Sequence, residues 1–160
     1  NELEKIKNYI KDKKKIEIED LLKLTNLAEN YNVSELIDSC LCKNKKKTIN
    51  ILNENNFSNE DCIIILRVFL NKLKRLLKIF SNSEINNNVD TAISSYKPPI
   101  FWKEKDIVKQ QINVLSYQKI QDLLTKTNNI EILVKKNPSI SINLVNNFIL
   151  EQCDEANNSI

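Results

Sequence analysis

One stretch restricts what this chain can fold into more than any other: "CIIILRVFLNKLKRLLKIF", residues 62–80. At 100° per residue, Cys62, Leu66, Phe69, Leu73, Leu76, Leu77 and Phe80 fall on one broad apolar face. Arg67, Asn71, Lys74 and Lys78 gather within about 60° of one another on the opposite side. An amphipathic helix of this length is stable only when other elements cover its apolar face. Ile64, Val68 and Ile79 on its flanks ask for cover on more than one side, so the spacing predicts the spine of a helical domain, roughly over residues 59–80. The preceding "SNED", Ser58 to Asp61, resembles a capping box with Asp in place of the usual Glu or Gln.

The remaining segments share the helical period, and none shows sustained strand alternation, so the fold class is all-α. Leu3, Ile6, Tyr9 and Ile10 give a first helix, and Ile16, Ile18, Leu21, Leu22 and Leu24 a short second one. The polar run "NLAENYN", Asn26 to Asn32, reads as a linker, with a domain boundary near residue 30. Ser34 is then the N-cap of a helix carrying Ile37 and Leu41, followed by a helix anchored by Ile49 and Leu52. "SNSEINNN" reads as a loop, Val89 to Ser95 as a short helix, and Phe101 to Asn113 as another. A long helix capped by Ser116 reaches about Lys136, with a weak point at Asn128-Asn129. After the turn Asn137-Pro138-Ser139 the last helix covers Ile142 to Cys153.

Composition removes whole classes of chemistry. The chain has no glycine, and the phosphate-cradling loops of Walker and Rossmann type depend on positive φ and close backbone approach. It has no histidine, which excludes Ser/His and Cys/His catalysis and imidazole zinc sites. Cys40, Cys42, Cys62 and Cys153 match neither a CxxC redox motif nor paired zinc-ribbon spacing, and read as buried reduced thiols of a cytoplasmic protein. Acid pairs such as Glu17 with Glu19 and Glu60 with Asp61 lie in first turns, where they suit the helix dipole. The residues therefore predict no active site, metal or cofactor. No apolar run reaches the length of about 18 residues that a bilayer crossing needs, and no membrane partner is expected. With no methionine and Asn1 at its start, the sequence reads as a piece of a longer chain.

Two features remain as candidates for binding. The stripe Arg67, Lys74 and Lys78, with Lys72 and Arg75 beside it, has no acid between Asp61 and Glu84 and extends over about 16 Å of helix. It suits solvent, the phosphates of a nucleic acid or a protein partner, and the net charge of +3 does not decide among them. The second feature, "SSYKPPIFWKEK", Ser94 to Lys105, holds two of the three prolines and the only tryptophan. Pro98 and Pro99 force an extended turn, and Phe101 and Trp102 are expected to anchor the following helix in the core. The sharper alternative is a stacking platform for a base.

The order of elements resembles a known family. "NELEKIKNYI", "IEIEDLLKL", "VSELIDSCLCKNKKKTINIL", "ILRVFLNKLKRLLKI", "AISSYKPPIFWKEK" and "LLTKTNNIEILVKK" are similar, in that order, to the C-terminal part of the delta subunits of bacterial DNA polymerase III. They cover nearly the whole chain, and "PPIFWKEK" at its distance behind "ILRVFLNKLKRLLKI" is the most specific of them. The resemblance implies that residues 1–30 end an AAA+-like lid domain and its linker, and that residues 31–160 form a helical collar domain. It implies a non-catalytic part of the clamp loader of a DNA-directed DNA polymerase, assembling in the cytoplasm with delta-prime and tau/gamma. The sliding clamp would be gripped by an N-terminal domain lying outside this chain. Primer–template DNA would pass nearby, with Lys135 and Lys136 as the nearest phosphate contacts, since the turn Asn137-Pro138-Ser139 lacks the aromatic residue found there in some members. A free-standing nucleic-acid-binding module using the Arg67, Lys74 and Lys78 stripe is the alternative function.

Overall fold

A computed structural model describes residues 27–86 and 88–154, and among these it is all-α. The two helices expected before residue 25 lie outside the described residues. Seven α-helices follow one another: α1 (Leu27–Leu41), α2 (Lys45–Glu54), α3 (Asp61–Asn86), α4 (Val89–Ser95), α5 (Lys105–Val114), α6 (Tyr117–Lys136) and α7 (Ser141–Asp154). Short 3-10 turns at Trp102–Glu104 and Pro138–Ile140 lead into α5 and α7.

α3 is the spine, packed against α1, α4, α5, α6 and α7. Its Cys62, Ile65, Leu66, Phe69, Leu73, Leu76 and Ile79 are fully enclosed. The Phe69 ring meets Phe148 of α7 at 5.4 Å between centroids, tilted by 53°, within the favourable range for an aromatic pair. α6 lays Ile120, Leu123, Thr127 and Val134 along the spine, a stripe at helical spacing. Of the flanking residues, Ile79 is buried and Val68 half-buried, whereas Ile64 stays exposed.

Helix ends follow local chemistry. The Ser58 amide donates to the Asp61 carboxylate at 2.7 Å, so the Asp fills the acid position of the box, while the Ser58 hydroxyl accepts from the Glu60 amide at 3.2 Å, one residue before the usual one. Asn44, Asn88 and Ser116 cap α2, α4 and α6 through their side chains. α1 ends with Lys43 at φ 59° and an Asn44 amide bonded to the Ser39 carbonyl, a Schellman-type arrangement. Glycine usually takes that left-handed position; in a chain without glycine a lysine adopts it, at a cost of roughly 1–2 kcal/mol.

Several sequence expectations are corrected. Asn26 to Asn32 is no linker in its described part, because α1 runs unbroken from Leu27 through residue 30, and Ser34 lies inside it. The continuous helix carries the chain across the position given to the domain boundary. α2 buries Thr48 and Ile51, with Leu52 half-buried against the core as expected and Ile49 half-buried, and the Ser39 and Thr48 hydroxyls meet at 2.9 Å. The spine overruns "SNSEIN" to Asn86: Ser81 and Ser83 turn their hydroxyls back to the Leu77 and Phe80 carbonyls and stay helical. α6 likewise passes Asn128-Asn129 without a break.

The largest correction concerns the proline–aromatic segment. Phe101 is 57% exposed and Trp102 67%, and Pro98 and Pro99 are exposed as well. The core anchor of this segment is Ile100, which is 7% exposed. Extended backbone alternates its side chains, so once Ile100 points inward Phe101 must point out, and the 3-10 turn that follows carries Trp102 out with it.

Candidate interaction surface

Beneath the aromatic segment lies a group of ion pairs that joins α1, α3 and α5. Lys72 of α3 is buried and donates to the Asp38 carboxylate of α1 at 2.7 Å. The other Asp38 oxygen accepts from Gln111 of α5 at 2.9 Å, so one carboxylate serves two helices. One turn further along α3, Arg75 donates to Glu104 at 2.7 Å. The Arg75 Nε and the Gln111 carbonyl oxygen are enclosed without a protein partner. Lys72 and Arg75 therefore leave the basic stripe: acids from α1 and from the 3-10 turn neutralise them, which the run of residues along α3 could not reveal.

The rest of the stripe stays as the periodicity indicates. Arg67, Lys74 and Lys78 are exposed, and the Lys78 ammonium lies 5.5 Å from the centre of the Tyr96 ring, a cation–π contact. Lys135 pairs with Glu131 one turn earlier on α6, at 2.6 Å, and Lys136 is exposed. Ile142 at the start of α7 bonds Asn59 just before α3, which sets Lys135 and Lys136 at the Arg67 end of the spine, away from Lys78. The five basic residues thus do not form one patch.

Phe101 and the neighbouring Trp102 form an exposed ridge, and Phe101 stands between two grooves. The rings stand 5.8 Å apart, and the Lys103 ammonium lies 5.3 Å from the Trp102 ring centre. One groove, of about 440 Å³, is lined by Tyr31, Asp38, Cys42, Lys47, Phe101 and Glu104, among others. The other, of about 420 Å³, takes in Asn71, Arg75, Tyr96, Pro98, Phe101 and Glu104. Phe101 and Glu104 belong to both walls, so the ridge divides them. Tyr31, 66% exposed, adds a third aromatic ring at the rim. Ile132, Leu133 and Ile140 are a separate exposed aliphatic group around the α6–α7 turn.

Electrostatics in the first groove act on its thiol and on its lysine. Burial, with Asp38 close by, pushes the Cys42 thiol up from 9.0 to about 11, so it is protonated at neutral pH and a poor nucleophile. Lys47 is held as a cation, raised by its hydrogen bond to Glu35 at 2.7 Å. Burial raises Cys62, and the hydrogen bond with Cys153, together with burial, raises Cys40. Among the described residues no cluster of His, Cys, Asp or Glu has metal-binding geometry. Asp61 of the candidate acid pair Glu60–Asp61 is spent on the cap of α3, and Glu17 and Glu19 lie outside the described residues. No described helix is long and apolar enough to cross a membrane.

Comparison of the chain with protein-family models, curated proteins and solved structures gives no match.

Proposed function

We propose that this chain is a non-catalytic assembly domain acting within a larger complex, and that the complex is a clamp loader in which it serves as the collar of a delta-like subunit beside delta-prime and tau/gamma. One observation carries this reading: the most specific stretch of the resemblance, "PPIFWKEK", places its two large aromatic rings on the surface and not in the core. Exposed aromatic side chains on ordered backbone are the composition of interface hot spots, where Trp and Tyr dominate binding energy. The all-α body of the described residues and the ion-paired carboxylates of the grooves support an assembling role. The sliding clamp and primer–template DNA belong to the proposed complex as a whole. The test is gel filtration of the chain with delta-prime and tau/gamma from the same source. A shared peak at micromolar concentration is expected, and separate elution of all components would sink the assembly reading.

A second reading rests on the three cations of α3 that no acid among the described residues neutralises. Arg67, Lys74 and Lys78, with Tyr96 and the ridge alongside, combine positive charge with stacking surface, the arrangement single-stranded nucleic acid uses. It predicts direct binding by the chain alone that weakens steeply between low and physiological salt.

A further inference from the structure

Phe101 and Trp102 are exposed, yet the backbone that carries them is held at both ends. On one side Ile100 is set into the core. On the other, Glu104 closes the 3-10 turn through its amide to the Phe101 carbonyl at 2.9 Å, and its carboxylate reaches Arg75 on the spine at 2.7 Å. Arg75 comes from the most enclosed helix of the domain, so it is a fixed point, and its pair with Glu104 is half-buried at 19% and 36% side-chain exposure. That degree of burial reduces screening by salt. Besides the pair, Trp102 to Glu104 are held by the amide bonds of the turn and by its continuation into α5, and the pair is the one side-chain tie from the turn to the spine among the described residues. Rigid aromatic anchors bind better than mobile ones because less side-chain freedom is lost on contact.

We propose that Arg75 and Glu104 are positioning residues, whose ion pair fixes the Phe101–Trp102 ridge in the orientation that a neighbouring subunit meets. The inference rests on the assembly reading for its partner, but the positioning itself does not. Arg75 and Glu104 touch the partner only through the ridge they hold. Glu104 lines both grooves, so its carboxylate, where the turn is stitched to α3, is common to the two.

Trp102 is the only tryptophan, so its fluorescence reports the ridge and nothing else. Time-resolved anisotropy of the chain should show little fast depolarisation in the wild type. In Glu104→Gln and Arg75→Gln a nanosecond wobble should appear, and the exchanged pair Arg75→Glu with Glu104→Arg should suppress it again. If Glu104→Gln melts early because the Arg75 charge has lost its partner, the double variant Arg75→Gln with Glu104→Gln leaves no charge unpaired and gives the same reading. Wobble unchanged in the single and double variants, with native helix content by circular dichroism, overturns the positioning role. Association with delta-prime and tau/gamma should weaken about tenfold in the loosened variants and recover in the exchanged pair. A loosened ridge with undiminished association would leave the positioning intact and remove the ridge from the assembly interface.

Discussion

The segment around Trp102 separates two properties that aromatic residues usually combine, size and burial. Ile100 fills the core position and the larger rings face outward, so stability and binding fall on different side chains. Ile100→Ala should therefore cost about 2–5 kcal/mol in a denaturant melt. Trp102→Ala should cost no more than about 0.5 kcal/mol, where a core tryptophan would cost about 3–5. A large loss of stability for Trp102→Ala would return the residue to the core. Cys42 supplies a second check at this scale. With its thiol raised to about 11, folded protein at pH 8 carries about a hundredfold less thiolate at this position than unfolded chain with a thiol at 9.0. Its alkylation by iodoacetamide, followed by peptide mass spectrometry, should be slow at pH 8 and rise about tenfold per pH unit to near pH 11. A plateau reached near pH 9 would show that neither burial nor Asp38 governs the thiol.

Between helices, the Asp38 carboxylate is the joint at which α1, α3 and α5 meet. Removing it strands the buried Lys72 ammonium, so Asp38→Ala should destabilise by about 3–5 kcal/mol. The double variant Asp38→Leu with Lys72→Met has no charge left to bury and should recover most of that loss. Additive losses in the double variant would mean that the pair contributes nothing by itself. Helix identity was readable from periodicity, and the caps of α3 and α6 from Ser58 and Ser116, whereas Ser34 lies inside α1 and the Asn88 cap was read as loop. Helix extent was less legible: Ser81, Ser83 and Asn128 favour turns by local preference, but packing of the adjoining apolar turns on the core kept α3 and α6 helical through them.

At the scale of the whole molecule the two functional readings make different demands on the α3 stripe. The assembly reading expects little binding of a single-stranded oligonucleotide by the chain alone, and an unchanged complex in the variant carrying Arg67→Gln, Lys74→Gln and Lys78→Gln. The nucleic-acid reading expects a steep fall of affinity with salt, and a loss of about 2 in the slope of log affinity against log salt in that variant. Filter binding at two or more salt concentrations separates them. The all-α class, the amphipathic spine and the exclusion of glycine- and histidine-dependent chemistry were determined by sequence alone, because hydrophobic period and residue inventory act locally or not at all. Which cations remain available, and which way the proline–aromatic segment faces, was decided only by tertiary structure. Asp38 and Glu104 lie 34 and 29 residues from the cations they neutralise. The orientation of Phe101 and Trp102 depends on a core site that accepts Ile100, a vacancy that α3 and its neighbours create together and that no single helix encodes.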